Sequence, residues 1–234
     1  MLENNTRLPL FPLNVVLFPG MMLPLHIFEE RYKVMIQKCL EEQQPFGVIL
    51  AKSNRAQAPN VADLVCDDIY EIGTTAQITT VEKMEDGRMN LITIGQERFT
   101  VKDVYSSADD FLIGQVDPFP IQGNDDPEIV ELMTHKLRQL VKAYIEHLGD
   151  AAGEDLSEAV LPVDPTGLAF LAGAAMQGPL ADKQKLLSAN SLTNLIARAT
   201  NVLDREDKIL AYMLRAYQAH QQIDRLPFVD YSLN

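Results

Sequence analysis

Along the first half of the chain the apolar residues come in short runs bounded by prolines, glycines and acidic turns; along the second half they recur every third or fourth position. A period near 2 marks strands and a period near 3.6 marks helices, so the pattern predicts a strand-rich half followed by a helical one. Residues 7–11 and 15–18 read as two strands separated at Pro12. Pro19-Gly20 after them suits the centre of a type II turn, proline fixing φ and glycine accepting a positive φ. A third run, 22–28, contains Pro24. Proline has no N–H to give a ladder, which places this strand at an edge or a bulge. Helical spacing then covers 29–42, with Tyr32, Met35, Ile36, Cys39 and Leu40 on one face. Pro45 stops it, and 46–51 is fit for a central strand. Residues 53–66 have weak periodicity and read as a surface excursion. Asp86-Gly87 between the β-rich runs 72–84 and 88–95 predicts a hairpin, and 99–105 and 111–116 add two more strands. Short antiparallel strands with one helix suggest a small closed or nearly closed barrel, which leaves few sheet edges unpaired.

The stretch 118–127 concentrates prolines and acids, and it sets the expected boundary between a β-barrel subdomain, 1–120, and an α-helical bundle, 121–234. Val130, Met133, Leu137, Leu140, Val141, Tyr144 and Leu148 predict an amphipathic helix over 127–148, with Asp126 as N-cap and Pro127 in its first turn. Residues 149–158 read as an acidic loop. Asp164-Pro165 repeats the cap-plus-proline signal before a segment that is apolar nearly all round, the mark of a buried bundle centre. A short helix near 181–188 leads to a long one over 191–221. Unbroken, that last helix spans about 45 Å at roughly 1.5 Å per residue, enough to reach from bundle to barrel. Phe228 and Tyr231 are the residues able to dock the tail. The expected class is α+β.

Charge narrows the function more than the fold. Asp plus Glu number 33 against 20 Lys plus Arg, a formal net charge of -13. The excess is even: residues 1–120 carry 17 acidic and 10 basic groups, and 121–234 carry 16 and 10. Gripping a phosphate backbone needs clustered cations, so no nucleic-acid partner is expected. Two cysteines, Cys39 and Cys66, are too few for a disulfide framework or a four-ligand zinc site, and each is expected buried and reduced. The opening residues lack a basic-then-apolar leader pattern, and no apolar run approaches the roughly 20 residues that span a bilayer. The expected setting is the cytoplasm, away from membranes.

Catalytic motifs are missing. No glycine precedes a lysine, so there is no phosphate-cradling Walker loop, and no Gly-x-Gly or Gly-x-Ser-x-Gly occurs. His26, His135, His147 and His220 form no metal-chelating pair. His26 reads as a structural imidazole bonded to backbone. Asp67-Asp68, Asp109-Asp110 and Asp125-Asp126 lie in turns or strand starts, and a general-acid pair needs two carboxyls in unlike, fixed environments. Glu154, Asp155 and Glu158 lack the EF-hand spacing and read as solvated loop. No catalytic residue, cofactor or metal is assigned.

One resemblance rests on a long, proline-studded motif. Leu8-Pro9-Leu10-Phe11-Pro12-Leu13, then Val16-Leu17-Phe18-Pro19-Gly20, then Leu23-Pro24-Leu25-His26-Ile27-Phe28-Glu29-Glu30-Arg31-Tyr32 strongly resembles the amino-terminal, substrate-binding domain of Lon proteases. Phe46-Gly47-Val48-Ile49 and Asp86-Gly87-Arg88 leading to Gly95-Gln96-Glu97-Arg98-Phe99 agree in order and spacing, as do Gln184-Lys185-Leu186-Leu187 and the stretch from Leu192 to Glu206. The resemblance implies a PUA-like β-pseudobarrel followed by a helical bundle. A complete Lon protease also carries an ATPase module and a Ser-Lys peptidase module, and no serine here is followed by the Ala-Gly of the family's nucleophile. The expectation is a stand-alone Lon-domain protein that is not an enzyme.

The function that follows is a non-catalytic module binding unfolded or extended polypeptide, or a protein partner, in a shallow apolar groove between barrel and bundle. A recognition or adaptor role in proteolysis is a further step. Met21 and Met22, flexible thioethers just after the Pro19-Gly20 turn, are the candidate protein-binding residues. Arg31 beside Glu29 or Glu30, and Arg98, read as structural ion pairs or solvated charges. Two other classes stay open: a small-molecule or RNA sensor using the barrel, and an enzyme with an unrecognised centre, which would need a buried, strongly perturbed carboxylate or histidine in a cleft.

Overall fold

The structure, a computed structural model, describes residues 2–52, 68–123 and 125–224, with side chains of the last helix described as far as Tyr217. In chain order the elements are β1 (Thr6–Leu13), β2 (Met22–Ile27), α1 (Glu30–Glu41), β3 (Phe46–Leu50), β4 (Ile72–Lys83), β5 (Met89–Ser106) and β6 (Leu112–Pro118). The helices α2 (Pro127–Ala152), α3 (Pro165–Ala175), α4 (Leu180–Leu187) and α5 (Leu192–Asp224) follow. The class is α+β, strands first and helices after. The expected excursion at 53–66, Cys66 and the tail with Phe228 and Tyr231 lie outside the described residues.

The strands run in the order β2-β5-β4-β3-β1-β6, and β6 also pairs with β5. Five strands therefore close a ring, with β2 hung on β5 as an edge. The ring is not wholly antiparallel as the sequence leads one to expect: β1 and β3 run parallel, Leu10 opposite Gly47 and Leu13 opposite Leu50. Nor does Pro12 break β1. The first part of β1 pairs with β6 and the last part with β3. Backbone N–H groups alternate between the two edges of a strand, so prolines three residues apart point their nitrogens oppositely. Pro9 lies where β6 alone pairs and Pro12 where β3 alone pairs, which lets each miss a donor without costing a ladder bond.

Residues 15–18 are not a strand either. They are an irregular buried segment, held where the Thr74 hydroxyl donates to the Leu17 carbonyl at 2.6 Å. The turn after them is type II: the Met21 N–H donates to the Phe18 carbonyl at 3.0 Å, and Gly20 sits at φ +79°. Gly20 N–H then donates to the Gly95 carbonyl at 2.8 Å, and Gly95 N–H to the Met21 carbonyl at 2.9 Å. Gly95 has no room for a side chain, because a Cβ there would stand 2.3 Å from the Phe18 carbonyl oxygen. The runs 88–95 and 99–105 belong to one strand, β5, long enough to pair with β2, β4 and β6 in turn. Register shifts at Thr74/Ala76, Ile78/Thr80 and Val101/Asp103 bend β4 and β5 around the ring.

In the helical half both N-caps hold: Asp126 accepts from Glu128 N–H, and Asp164 accepts from Gly167 N–H. The region read as acidic loop begins later than expected, since α2 continues to Ala152 and stops where Gly153 enters the left-handed region at φ +74°. Helix α5 packs mainly on α2, with further contacts to α3 and α4, and its first turns join the shared core. One apolar core joins the two halves. Val16, Phe18, Leu50 and Ile72 from the strand side pack with Leu168, Phe170, Leu186 and Ile196 from the helices, Phe18 and Phe170 rings 6.1 Å apart. A second core fills the space under α1, around Phe11, Tyr32, Met35, Ile36 and Phe46.

Candidate functional site

The seam between strands and helices, where the sequence leads one to expect an apolar groove, is packed with side chains around Phe18. Apolar surface appears instead on the outer face of β2 and β5. Met22 lies opposite Ile94, Pro24 opposite Ile92, and His26 opposite Asn90. Met22 is 60% exposed, and Ile92 and Pro24 are exposed beside it. Phe28 follows the strand at 61% exposure, its ring 6.2 Å from that of His26. The two methionines thus differ: Met21 is partly buried against both cores, and Met22 stands in solvent. His26 is exposed, its Nδ1 2.8 Å from the Asn90 side-chain oxygen rather than on backbone, and Asn90 donates in turn to Glu82.

The open edge of β2 is blunted. Met21 offers its carbonyl to Gly95, so the odd-numbered residues turn their backbone groups toward β5 and Met22, Pro24 and His26 turn theirs outward. Pro24 removes the middle donor of that outward row, which weakens the edge as a template for another strand. The side-chain face, not the edge, is what this element presents.

The charged residues singled out in the sequence are structural. Arg31 pairs with Glu29 at 2.7 Å. Arg98 is neither paired with a carboxylate among the described residues nor solvated. It is 5% exposed, lies over the Phe119 and Phe170 rings at 4.7 and 5.6 Å, and donates from one nitrogen to the carbonyls of Leu187 and Ala189 at 2.6 and 2.7 Å. Those carbonyls end α4, where a helix's orphan acceptors and negative dipole end welcome a cation. Burial lowers the guanidinium to about 10. Arg98 therefore bolts β5 to α4, a role its place in a strand pattern does not reveal.

Of the acidic pairs, Asp125 caps α5 through Leu192 N–H and the Thr193 hydroxyl, and that hydroxyl holds its carboxyl below the usual range. Asp109 pairs with Lys38, and Asp155 accepts from Ser157 N–H. Glu206, which the sequence gives no reason to single out, accepts at Oε2 from the Tyr144 hydroxyl and from Gln177 N–H, both at 2.9 Å. It pins the α3–α4 connection to α2 and α5. Among the described residues no group of three or more His, Cys, Asp or Glu is placed to hold a metal ion, and no helix is long and apolar enough to cross a membrane. Cys39 is buried, which pushes its thiol up to about 12.

Known proteins place this architecture. The pattern of the family described as ATP-dependent protease La (LON) substrate-binding domain matches residues 7–205. Lon protease 2 of Myxococcus xanthus is 29% identical over 206 residues, 87% of this chain and 24% of that protein. A Lon protease of Anaeromyxobacter dehalogenans is 28% identical over the same shares. The chain thus spans about a quarter of the length of these curated relatives. Among solved structures, a Lon N-terminal domain protein from Xanthomonas campestris aligns with TM-score 0.59 at 21% identity, covering 82% of this chain and 96% of that one. The N-terminal domain of a Mycobacterium avium complex Lon protease aligns with TM-score 0.65 at 18% identity, covering 85% and 98%. Fold agrees with both structures, and the family match extends from the first strand into the last helix: the chain belongs to the Lon substrate-binding domain family.

Proposed function

We propose that this chain is a non-catalytic polypeptide-binding module whose contact surface is the outer face of β2 and β5. The observation that carries this is the row of exposed apolar side chains, Met22 and Pro24 on β2, Phe28 just after it and Ile92 on β5, where β2 is paired along its length to β5 of the ring. Family membership supports the same reading, because the matched family is described by substrate binding. Burying a large apolar side chain contributes roughly 1.5–3 kcal/mol, so a few such anchors outweigh the cost of association only modestly. Weak, reversible capture of extended segments is what such a surface gives. Contact runs through side chains, since Pro24 interrupts the strand edge. A net charge of -13 disfavours phosphate backbones as partners. The module acts in the cytoplasm as a recognition or adaptor factor in proteolysis.

The test is fluorescence anisotropy with a labelled, chemically unfolded protein and its native form. The wild type is expected to bind the unfolded form alone, and Met22→Ser with Phe28→Ser to weaken binding at least tenfold with circular dichroism unchanged. Absence of binding to unfolded chains, or equal binding by the double variant, removes the reading.

A further inference from the structure

We infer that the cleft between α1 and the β4–β5 hairpin binds an anionic apolar ligand, a carboxylate carried on a short apolar group. The cleft has a volume of about 460 Å³. Val34, Met84 and Met89 supply its apolar lining, and Lys33, Lys38 and Lys83 bring three ammonium groups to it. Over the whole chain acids outnumber bases 33 to 20; in this cleft three cations stand beside one carboxylate, that of Glu41. Glu30 and Asp109, just outside the lining, neutralise two of the three cations, Lys33 and Lys38.

The hydrogen bonds say which cation is open to a ligand. Lys33 is held by Glu30 at 2.8 Å, its own side chain largely buried while that of Glu30 is in solvent. Lys38 is held by Asp109 and lies over the Phe111 ring. Lys83 has no carboxylate partner among the described residues, and its Nζ donates to the side-chain oxygen of Gln37 at 3.1 Å. The other end of the same amide donates to Glu41 at 2.8 Å, which draws the one acid of the cleft toward Gln37. An incoming carboxylate replaces a neutral acceptor on Lys83 with a charged one, which adds a direct Coulombic attraction to that bond, while its apolar group covers Val34 and Met84 above the buried Met89. An alcohol of the same length has the apolar group without the charge, and it lacks that gain.

This inference stands apart from the polypeptide surface, which lies on the outer face of β2 and β5. The experiment follows methionine methyl resonances of the full chain during titration with octanoate and with octanol. Octanoate is expected to move the Met84 and Met89 methyls saturably, less at high salt, and octanol at equal concentration to leave them. Lys83→Met is expected to weaken octanoate about tenfold or more, the loss of one charge-assisted hydrogen bond, and Lys83→Arg to retain it. A peptide ending in leucine, as free acid and as amide, identifies the source. Binding by the free acid alone points to a polypeptide terminus, and binding by octanoate but neither peptide points to a free carboxylate. Equal shifts with octanol, unmoved Met84 and Met89, or a Lys83→Met variant that binds like wild type overturns the inference.

Discussion

Replacing Arg98 tests the joint between the two halves. Its two hydrogen bonds to the end of α4 are charge-assisted, about 1.5–3 kcal/mol each. The faces of Phe119 and Phe170 add about 1 kcal/mol. Against this stands the cost of burying the charge. Lowering the guanidinium from 12.5 to about 10 corresponds to roughly 3 kcal/mol at about 1.4 kcal/mol per pH unit. Arg98→Ala loses the bonds and the stem packing and leaves two carbonyls without their donor, so a net loss of about 3 kcal/mol is expected. Arg98→Met keeps most of the packing and escapes the charge penalty, so its loss should be nearer 1 kcal/mol. Urea unfolding at neutral pH reads both, by far-UV circular dichroism and by tyrosine fluorescence, the chain having no tryptophan. With a slope of about 2 kcal/mol per molar, the alanine variant should lower the midpoint by about 1.5 M. An alanine loss below about 1 kcal/mol, or equal losses for alanine and methionine, would refute the assignment of Arg98 as the bolt. If 1–120 and 121–234 are separate folding units, the alanine variant also splits the transition and the two probes part.

Two further expectations follow from close approach and from burial. Gly95→Ala sets a Cβ against the backbone oxygen of Phe18, which no rotamer relieves, so a loss of about 3 kcal/mol is expected; Gly20→Ala, strained only by its positive φ, should cost about 1 kcal/mol, and equal midpoints for the two variants would contradict the geometry. Burial pushes both the Cys39 thiol and the Tyr32 hydroxyl up to about 12, from 9.0 and 10.0. Above pH 9 the unfolded chain therefore sheds protons that the folded chain keeps, so the stability present below pH 9 is lost as pH rises toward 12. Tyr144, raised by burial and by its bond to Glu206, adds to this loss above pH 10, while Arg98, lowered to about 10, acts in the opposite sense there, so the midpoint falls across the whole window from pH 9 to 12. A urea midpoint flat across that window would show these groups to be solvated.

The elements legible in the sequence were those whose signal is local. Asp126-Pro127 and Asp164-Pro165 announce their helices because cap and proline act within one turn. Pro19-Gly20 announces its turn, and Pro24 its edge strand, because each is a statement about one residue's φ or N–H. What was not legible depends on partners far along the chain. Pro12 looks like a breaker until β3 and β6 are seen to divide β1 between them. Residues 15–18 have strand composition, yet the Thr74 hydroxyl and the Met21 N–H claim the carbonyls of Leu17 and Phe18 first. Of the candidate contact residues, Met21 and Met22 are adjacent in sequence and separated by the pleat, one under the turn and one in water. The roles of Arg98 and Glu206 have no local signal, because their partners lie far along the chain: the Leu187 and Ala189 carbonyls for Arg98, the Tyr144 hydroxyl and Gln177 N–H for Glu206.

The closure of the ring sets an order of events during folding. Thr6 lies opposite Val116 in the β1–β6 pair, so the ring cannot close until almost the whole strand half has been synthesised. Until then β1 has no antiparallel neighbour, and the growing chain carries an apolar strand with one bare edge. Joining ends so distant costs chain entropy before any contact repays it, which puts such sheets among the slower folders, on the scale of milliseconds to seconds. The helices α3, α4 and α5 meet through near neighbours in sequence and need not wait. Their core is nevertheless incomplete without Phe18, and the end of α4 is unsatisfied without Arg98. The helical half can thus assemble early as a loose receptacle, and it becomes rigid only when the closed ring delivers those two side chains.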